Sequence, residues 1–216
     1  MIKAIIFDLD GVISDTDRTR FDLLKILLEK KGQILKETDY KKSVGRRTEI
    51  FLKDLFGDKL TDDEIKNIYI ERKEEYRSNP EKYVLSQPNA FECCQKLFEA
   101  DFTLAIASAA QEKDIRIVLS ELNVLQFFKI IVGSDLIKNM KPHPETYLKC
   151  IEELQLSSKE CIAIEDSPTG IKSAKNADLT CVAVTYTHIK DELNEADKII
   201  TSLNQLIPEF VKKIVN

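Results

Sequence analysis

The sequence predicts an α/β protein: a Rossmann-like three-layer core with a central parallel sheet, plus an inserted all-helical segment. Two observations carry this. Short apolar runs rich in β-branched residues alternate with amphipathic stretches at helical spacing along most of the 216 residues, and strands alternating with helices imply a parallel sheet covered on both faces. One long early interval instead shows helical periodicity and no strand-like run.

The first apolar run is Ala4–Phe7. After the insertion come Thr103–Ala107, Ile130–Val132, Cys161–Ile164, Cys181–Thr185 and Lys198–Ile200. Between them, Phe91–Ala100, Lys113–Leu122, Glu145–Leu154 and Thr169–Ala177 carry apolar residues three and four apart, as core-facing helices do. In the insertion, Phe21, Leu24, Leu27 and Leu28 form such a stripe, and Ile50, Leu52 and Leu55 partly continue it. Thr61 followed by Glu64 is a capping-box start for a helix running towards Arg77, and Ser78-Asn79-Pro80 ends it. The expected domains are a core of residues 1–13 and 86–216 and a helical cap of residues 14–85. Their polar links, near Ile13–Thr16 and Leu85–Pro88, suit hinges.

Composition excludes several classes. The chain is 43% hydrophobic and 32% charged, ordinary for a soluble globular protein. Its net charge of −5 gives no overall attraction to nucleic acid or an anionic membrane surface. No run approaches the roughly 18 apolar residues a bilayer span needs. The N-terminus is not a signal peptide, because its apolar run is short and carboxylates follow at once. The five cysteines lack zinc-site spacing and are expected as reduced thiols in a cytoplasmic protein, with Cys161 and Cys181 in the core. Oligomeric state is not written in these features, and a monomer is compatible with them.

In open parallel sheets, ligands bind beyond the carboxyl ends of the strands, so the polar residue ending each apolar run is the one to weigh. The first run ends in Asp8 and, two residues on, Asp10; alternate residues of an extended segment point the same way. Gly11 permits the turn that follows. Two such carboxylates repel and call for a cation or a shared proton; the plainer alternative is a turn with helix-capping aspartates. The fourth run ends in Glu165-Asp166, with Ser167 and Pro168 placed to start a helix. With Asp8, these oxygens form a hard-ligand set suited to Mg²⁺. Lys141, within Lys-Pro-His-Pro-Glu, supplies a point charge for a phosphate oxygen or a neighbouring carboxylate. Ser108, opening a helix with Ala109 and Ala110, offers a hydroxyl and backbone N–H groups to a phosphate, or simply caps. His143 and His188 read as structural or surface residues.

This ordered set resembles the haloacid dehalogenase-like hydrolase superfamily, and within it the β-phosphoglucomutase and phosphatase branch with a helical cap after the first motif. Phe7-Asp8-Leu9-Asp10-Gly11, Ser108, Lys141 and Glu165-Asp166-Ser167 with Gly170 match its four motifs in order, across nearly the whole chain. The resemblance implies an aspartyl-phosphate intermediate on Asp8, with Asp10 as general acid and base. It implies Mg²⁺ held by the Asp8 side chain, the Asp10 carbonyl and the Glu165/Asp166 pair. Ser108, Ala109 and Lys141 would face the phosphoryl group, and the cap arginines Arg20, Arg46 and Arg47 would meet an anionic substrate. Mutases of the branch usually carry a histidine where Arg20 stands, and an arginine after a cap glycine; here that stretch is Gly45-Arg46-Arg47-Thr48. The first expectation is therefore a phosphatase for a small phosphorylated metabolite, such as a sugar phosphate, and the second a phosphosugar mutase. A dehalogenase of the family would lack Asp10. A non-catalytic receiver-like domain would place its acid pair first and its lysine last, and would leave the cap unexplained.

Overall fold

The computed structural model describes residues 1–44 and 46–214; Gly45, the glycine singled out in the cap, lies outside the described residues. The chain divides into two compact units, Met1–Ser14 with Ser86–Asn216, and Asp15–Leu85.

The larger unit is built on six parallel strands: β1 (Ala4–Phe7), β2 (Thr103–Ala107), β3 (Phe128–Val132), β4 (Cys161–Glu165), β5 (Thr180–Val184) and β6 (Lys198–Ile200). Their order is β3-β2-β1-β4-β5-β6. The predicted strands are all present. The third starts two residues earlier than its apolar run: the exposed Lys129 interrupts the hydrophobic pattern, and the ladder with β2 shifts register across it, from Leu104 opposite Phe128 to Ala105 opposite Ile130. The fifth begins and ends one residue earlier than read.

The helical unit contains α1 (Thr16–Lys30), α2 (Tyr40–Ser43), α3 (Thr48–Phe56), α4 (Asp62–Ser78) and α5 (Pro80–Tyr83). The larger unit adds α6 (Ala90–Glu99), α7 (Glu112–Glu121), α8 (Glu145–Leu154), α9 (Pro168–Asn176) and α10 (Pro208–Lys213). Strand side chains alternate between faces. One face presents Ala4, Ile6, Ala105, Ala107, Cys161, Ala163, Cys181 and Ala183, mostly small, so helices can approach closely. There α8 packs on β2 and β3, and α9 on β4 and β5. Tyr147 and Cys150 of α8 join Ile171 and Ala174 of α9 in that core. The other layer is α6 against β2 and α7 against β3. All five cysteines are buried thiols.

Within the helical unit, the stripe of α1 packs with Phe51 and Leu52 of α3 and Ile65 and Ile68 of α4. Ile50 does not continue the stripe: it is 50% exposed, and Phe51 takes the inward position. Thr61 and Glu64 form the expected capping box on α4. Among the described residues, no helix is long and apolar enough to cross a membrane.

Candidate active site

In the strand order observed, the direction of winding reverses between β1 and β4, and ligands of open α/β sheets bind beyond the carboxyl ends of the strands at such a switch point. β1 delivers Asp8 to this switch point, and its backbone N–H still donates to Ile164 O of β4 at 2.9 Å, so the ladder itself fixes the residue. β4 delivers Glu165 as its last residue and Asp166 just beyond. Asp8, Glu165 and Asp166 are all buried and each brings an oxygen within 4.8 Å of the others.

The turns that follow leave no room for larger residues. Gly11 has φ +84°, and a Cβ there would come within 2.0 Å of Asp166 Oδ2. Gly170, in the first turn of α9, would place a Cβ within 2.0 Å of the Glu165 carboxylate. Ser167 caps that helix, accepting from the Gly170 N–H at 3.1 Å. Both glycines therefore admit a carboxylate where a side chain would otherwise sit.

Lys141 comes from the loop before α8, where the Lys141–Pro142 peptide is cis. Its Nζ donates to Asp8 Oδ1 and to Glu165 Oε1, both at 2.6 Å. Glu145 anchors this loop by accepting from the backbone N–H groups of Lys138 and Asn139 at 2.8 and 2.9 Å. Glu165 has both oxygens engaged: Oε1 also accepts from Tyr147 Oη at 2.7 Å, while Oε2 accepts from the Asp166 N–H at 3.2 Å and Ser167 Oγ at 3.3 Å. Asp166 Oδ2 accepts a short hydrogen bond from Thr187 Oγ1, which lies 3.0 Å from His188 Nδ1.

Electrostatically the rim is out of balance. Burial pushes the Asp8 carboxyl up to about 8, Lys141 pulls against this, and Glu165 and Asp10 push it further up. Asp166 is likewise raised by burial and by Glu165 and Asp8. Although burial opposes the charge on Lys141, Asp8 and Glu165 raise its pKa on balance, so the amine stays an ammonium. One cation thus faces several buried carboxylates, and a hard divalent cation is the group that would restore balance. The donor set, all carboxylate oxygen, fits Mg²⁺.

Ser108 is fully buried at the end of β2, with its N–H on Val132 O at 3.0 Å. It does not open a helix as expected. α7 starts at Glu112, whose N–H is taken by Asp135 Oδ1 at 2.8 Å from the next loop. The Ser108 hydroxyl instead accepts from the Ala110 N–H at 3.0 Å, and this turn leaves Ala109 exposed.

The cap arginines have partners inside the helical unit. Arg20 donates to Arg46 O at 2.8 Å and to Ser43 O, and pairs with Asp17 at 2.6 Å. Arg46 pairs with Asp54, and the exposed Arg47 with Glu49 at 3.5 Å. Thr48 is buried at the start of α3.

Sequence reasoning passed over Tyr147, Thr187 and the glycine contacts. The available signal for Tyr147 was a hydroxyl in the core stripe of α8, since a buried tyrosine needs a hydrogen-bond partner. No local signal marks Thr187, which reaches Asp166 from 21 residues along the chain.

Known proteins are similar to this chain in sequence and fold. A model of the haloacid dehalogenase-like hydrolase family matches residues 5–184. YhcW of Bacillus subtilis, whose name proposes a phosphatase, is 31% identical over 188 residues, covering 85% of this chain and 84% of that protein. The phosphorylated carbohydrates phosphatase of Thermotoga maritima is 27% identical over 176 residues, 82% of each chain. The crystal structure of β-phosphoglucomutase from Clostridium difficile superposes with a TM-score of 0.75 at 26% identity, over 100% of this chain and 98% of that one. Because the family model spans most of the chain and a relative 31% identical covers 85% of it, the chain belongs to the haloacid dehalogenase-like hydrolase family.

Proposed function

We propose that this protein is a Mg²⁺-dependent phosphatase that hydrolyses a small phosphorylated metabolite through an aspartyl phosphate on Asp8. The observation that carries the reading is the single ammonium of Lys141 shared at 2.6 Å between Asp8 and Glu165, at the switch point and beside Asp166. Phosphoryl transfer asks for positioning and for neutralisation of the phosphoryl oxygens, which is what such a rim supplies.

In the first step an Asp8 carboxylate oxygen attacks phosphorus. The ester P–O bond breaks, and the leaving oxygen takes a proton from the Asp10 carboxyl. In the second step Asp10 takes a proton from water as its oxygen attacks the same phosphorus. The Asp8–phosphorus bond breaks, orthophosphate leaves, and both aspartates return to their starting states. Lys141 holds Asp8 in place and faces the phosphoryl oxygens together with the Ser108 hydroxyl and the Ala109 N–H. Asp8, Asp166 and the Asp10 carbonyl would hold Mg²⁺, with Glu165 contributing through its place beside them; bound there, the ion neutralises the phosphoryl charge. Residues 14–85 form the cap that selects the substrate, and Arg20, through the carbonyls of Ser43 and Arg46, shapes the cap loop that carries Arg46 and Arg47.

Similarity to a phosphatase of phosphorylated carbohydrates supports a sugar phosphate as substrate. Similarity to a β-phosphoglucomutase supports a second reading, a phosphosugar mutase in which a sugar hydroxyl replaces water as acceptor. A panel of phosphorylated metabolites, assayed for orthophosphate release with and without Mg²⁺ and with Asp8→Asn as control, tests the first. Isomerisation on adding a sugar bisphosphate selects the second. Undiminished turnover by Asp8→Asn overturns both.

A further inference from the structure

We infer that Tyr147 is a positioning residue for the Asp8–Lys141–Glu165 cluster, a role that rests on the phosphoryl-transfer reading above. Tyr147 is the largest fully buried side chain, in a helix stripe otherwise made of Thr146, Cys150 and Leu154. Phenylalanine would fill the same volume, so packing alone does not explain the hydroxyl. That hydroxyl donates to Glu165 Oε1 at 2.7 Å. The ring meanwhile lies under the same lysine that bridges the carboxylates, with Lys141 Nζ 4.8 Å from its centroid.

Two consequences follow for Lys141. First, a cation over a ring face is attracted to it, and this restrains a four-carbon stem that is otherwise free to swing. Second, Glu165 Oε1 already accepts the tyrosine proton, so its pull on the ammonium is shared. The equal 2.6 Å distances to Asp8 and Glu165 match that balance. Without the hydroxyl, Glu165 Oε1 has only the ammonium as its donor, the ammonium loses its own 3.4 Å bond to Tyr147 Oη, and the two draw closer. Asp8 then loses part of its counter-ion and its fixed orientation for attack, and misplacement of about 1 Å is enough to cost large factors in rate.

Tyr147→Phe, which keeps ring and volume, tests this. Turnover of a chromogenic aryl phosphate, Mg²⁺ binding by calorimetry with the metal alone, and thermal unfolding are measured together. Loss of one charge-assisted hydrogen bond predicts a kcat lower by about tenfold with KM nearly unchanged. Mg²⁺ alone should bind more tightly, by about threefold or more, because Asp8 is less engaged by Lys141. Opposite movement of kcat and metal affinity is not what a packing defect produces. Unchanged kcat and affinity, or a parallel fall in both tracking a lower melting temperature, overturns the inference. Asp8→Asn separates the layers: if it still turns over, the phosphoryl-transfer reading fails, and if it is inactive while Tyr147→Phe behaves as wild type, only the role of Tyr147 fails.

Discussion

Replacing Lys141 by methionine removes the one cation that bonds both Asp8 and Glu165 while keeping a side chain of similar length on the Tyr147 ring. Both of its bonds are 2.6 Å long, and the partners are 11% and 1% exposed. Removing one partner of a buried ion pair typically costs ~3–5 kcal/mol, because a charge is left buried and uncompensated. For a chain of this size that corresponds to a fall of ~6–20 °C in melting temperature. The cost should depend on pH. Asp8 has its pKa raised to about 8 by burial, so at pH 5 it carries a proton and its bond to Lys141 is not an ion pair. Above pH 8 the ion pair is complete in the wild type and its loss is felt in full. The difference amounts to about one charged hydrogen bond, ~1.5–3 kcal/mol. Urea unfolding of both proteins at pH 5 and pH 8.5, without metal, measures it. A destabilisation equal at the two pH values, or absent at both, would refute the view that Lys141 balances ionised carboxylates. Turnover should fall by ~10²–10³ at either pH, as for loss of an oriented electrostatic group.

The same imbalance predicts linkage between metal and protons. The folded pKa of Asp8 lies above its unfolded value of 3.8, so the metal-free protein loses stability as pH rises from about 4 to about 8 and levels off above. Mg²⁺, which needs the ionised form, should therefore release protons near neutral pH and raise the melting temperature more at pH 8 than at pH 6; calorimetry in two buffers of different ionisation enthalpy gives the proton count, and a count of zero contradicts the shift. Gly170→Ala places a methyl 2.0 Å from the Glu165 carboxylate and should lower both stability, by ~1–3 kcal/mol, and turnover; wild-type values for both would show that the carboxylate has room to move.

The rim was legible because each of its acids stands where an apolar run stops. Asp8 directly follows β1 and Glu165 ends β4, and a parallel sheet gathers such ends whatever the distance in sequence. Lys141 needed more than pattern: its place depends on Glu145 pinning the preceding loop and on the Tyr147 ring. Ser108 was found for its hydroxyl but given the wrong local role, since a serine before a helix-like stretch looks like a cap, whereas the first N–H of α7 is taken by Asp135 from another strand's loop. Thr187 and Tyr147 act on the acids across 21 and 18 residues, and no local spacing encodes such contacts. Arg20 and its i,i+3 partner Asp17 were legible as charges, but its other acceptors are backbone carbonyls of Ser43 and Arg46, which a string of side chains does not display.

Those distant partners also bear on why so much negative charge is kept in a buried place. A fold seeking stability alone would replace Asp8, Glu165 and Asp166 with apolar residues, because a buried ion cluster seldom repays its desolvation. Here every neighbour works to keep the carboxylates tolerable without neutralising them. Tyr147 and Lys141 satisfy one oxygen of Glu165, Ser167 and the Asp166 N–H the other, and Thr187 holds Asp166. Asp8 is left with one oxygen on Lys141 and with its pKa raised, which suits the cation and phosphoryl partner proposed for it. Stability lost at this rim in the free protein is then recovered when both bind, and the enzyme proposed here would be most stable in the state in which it acts.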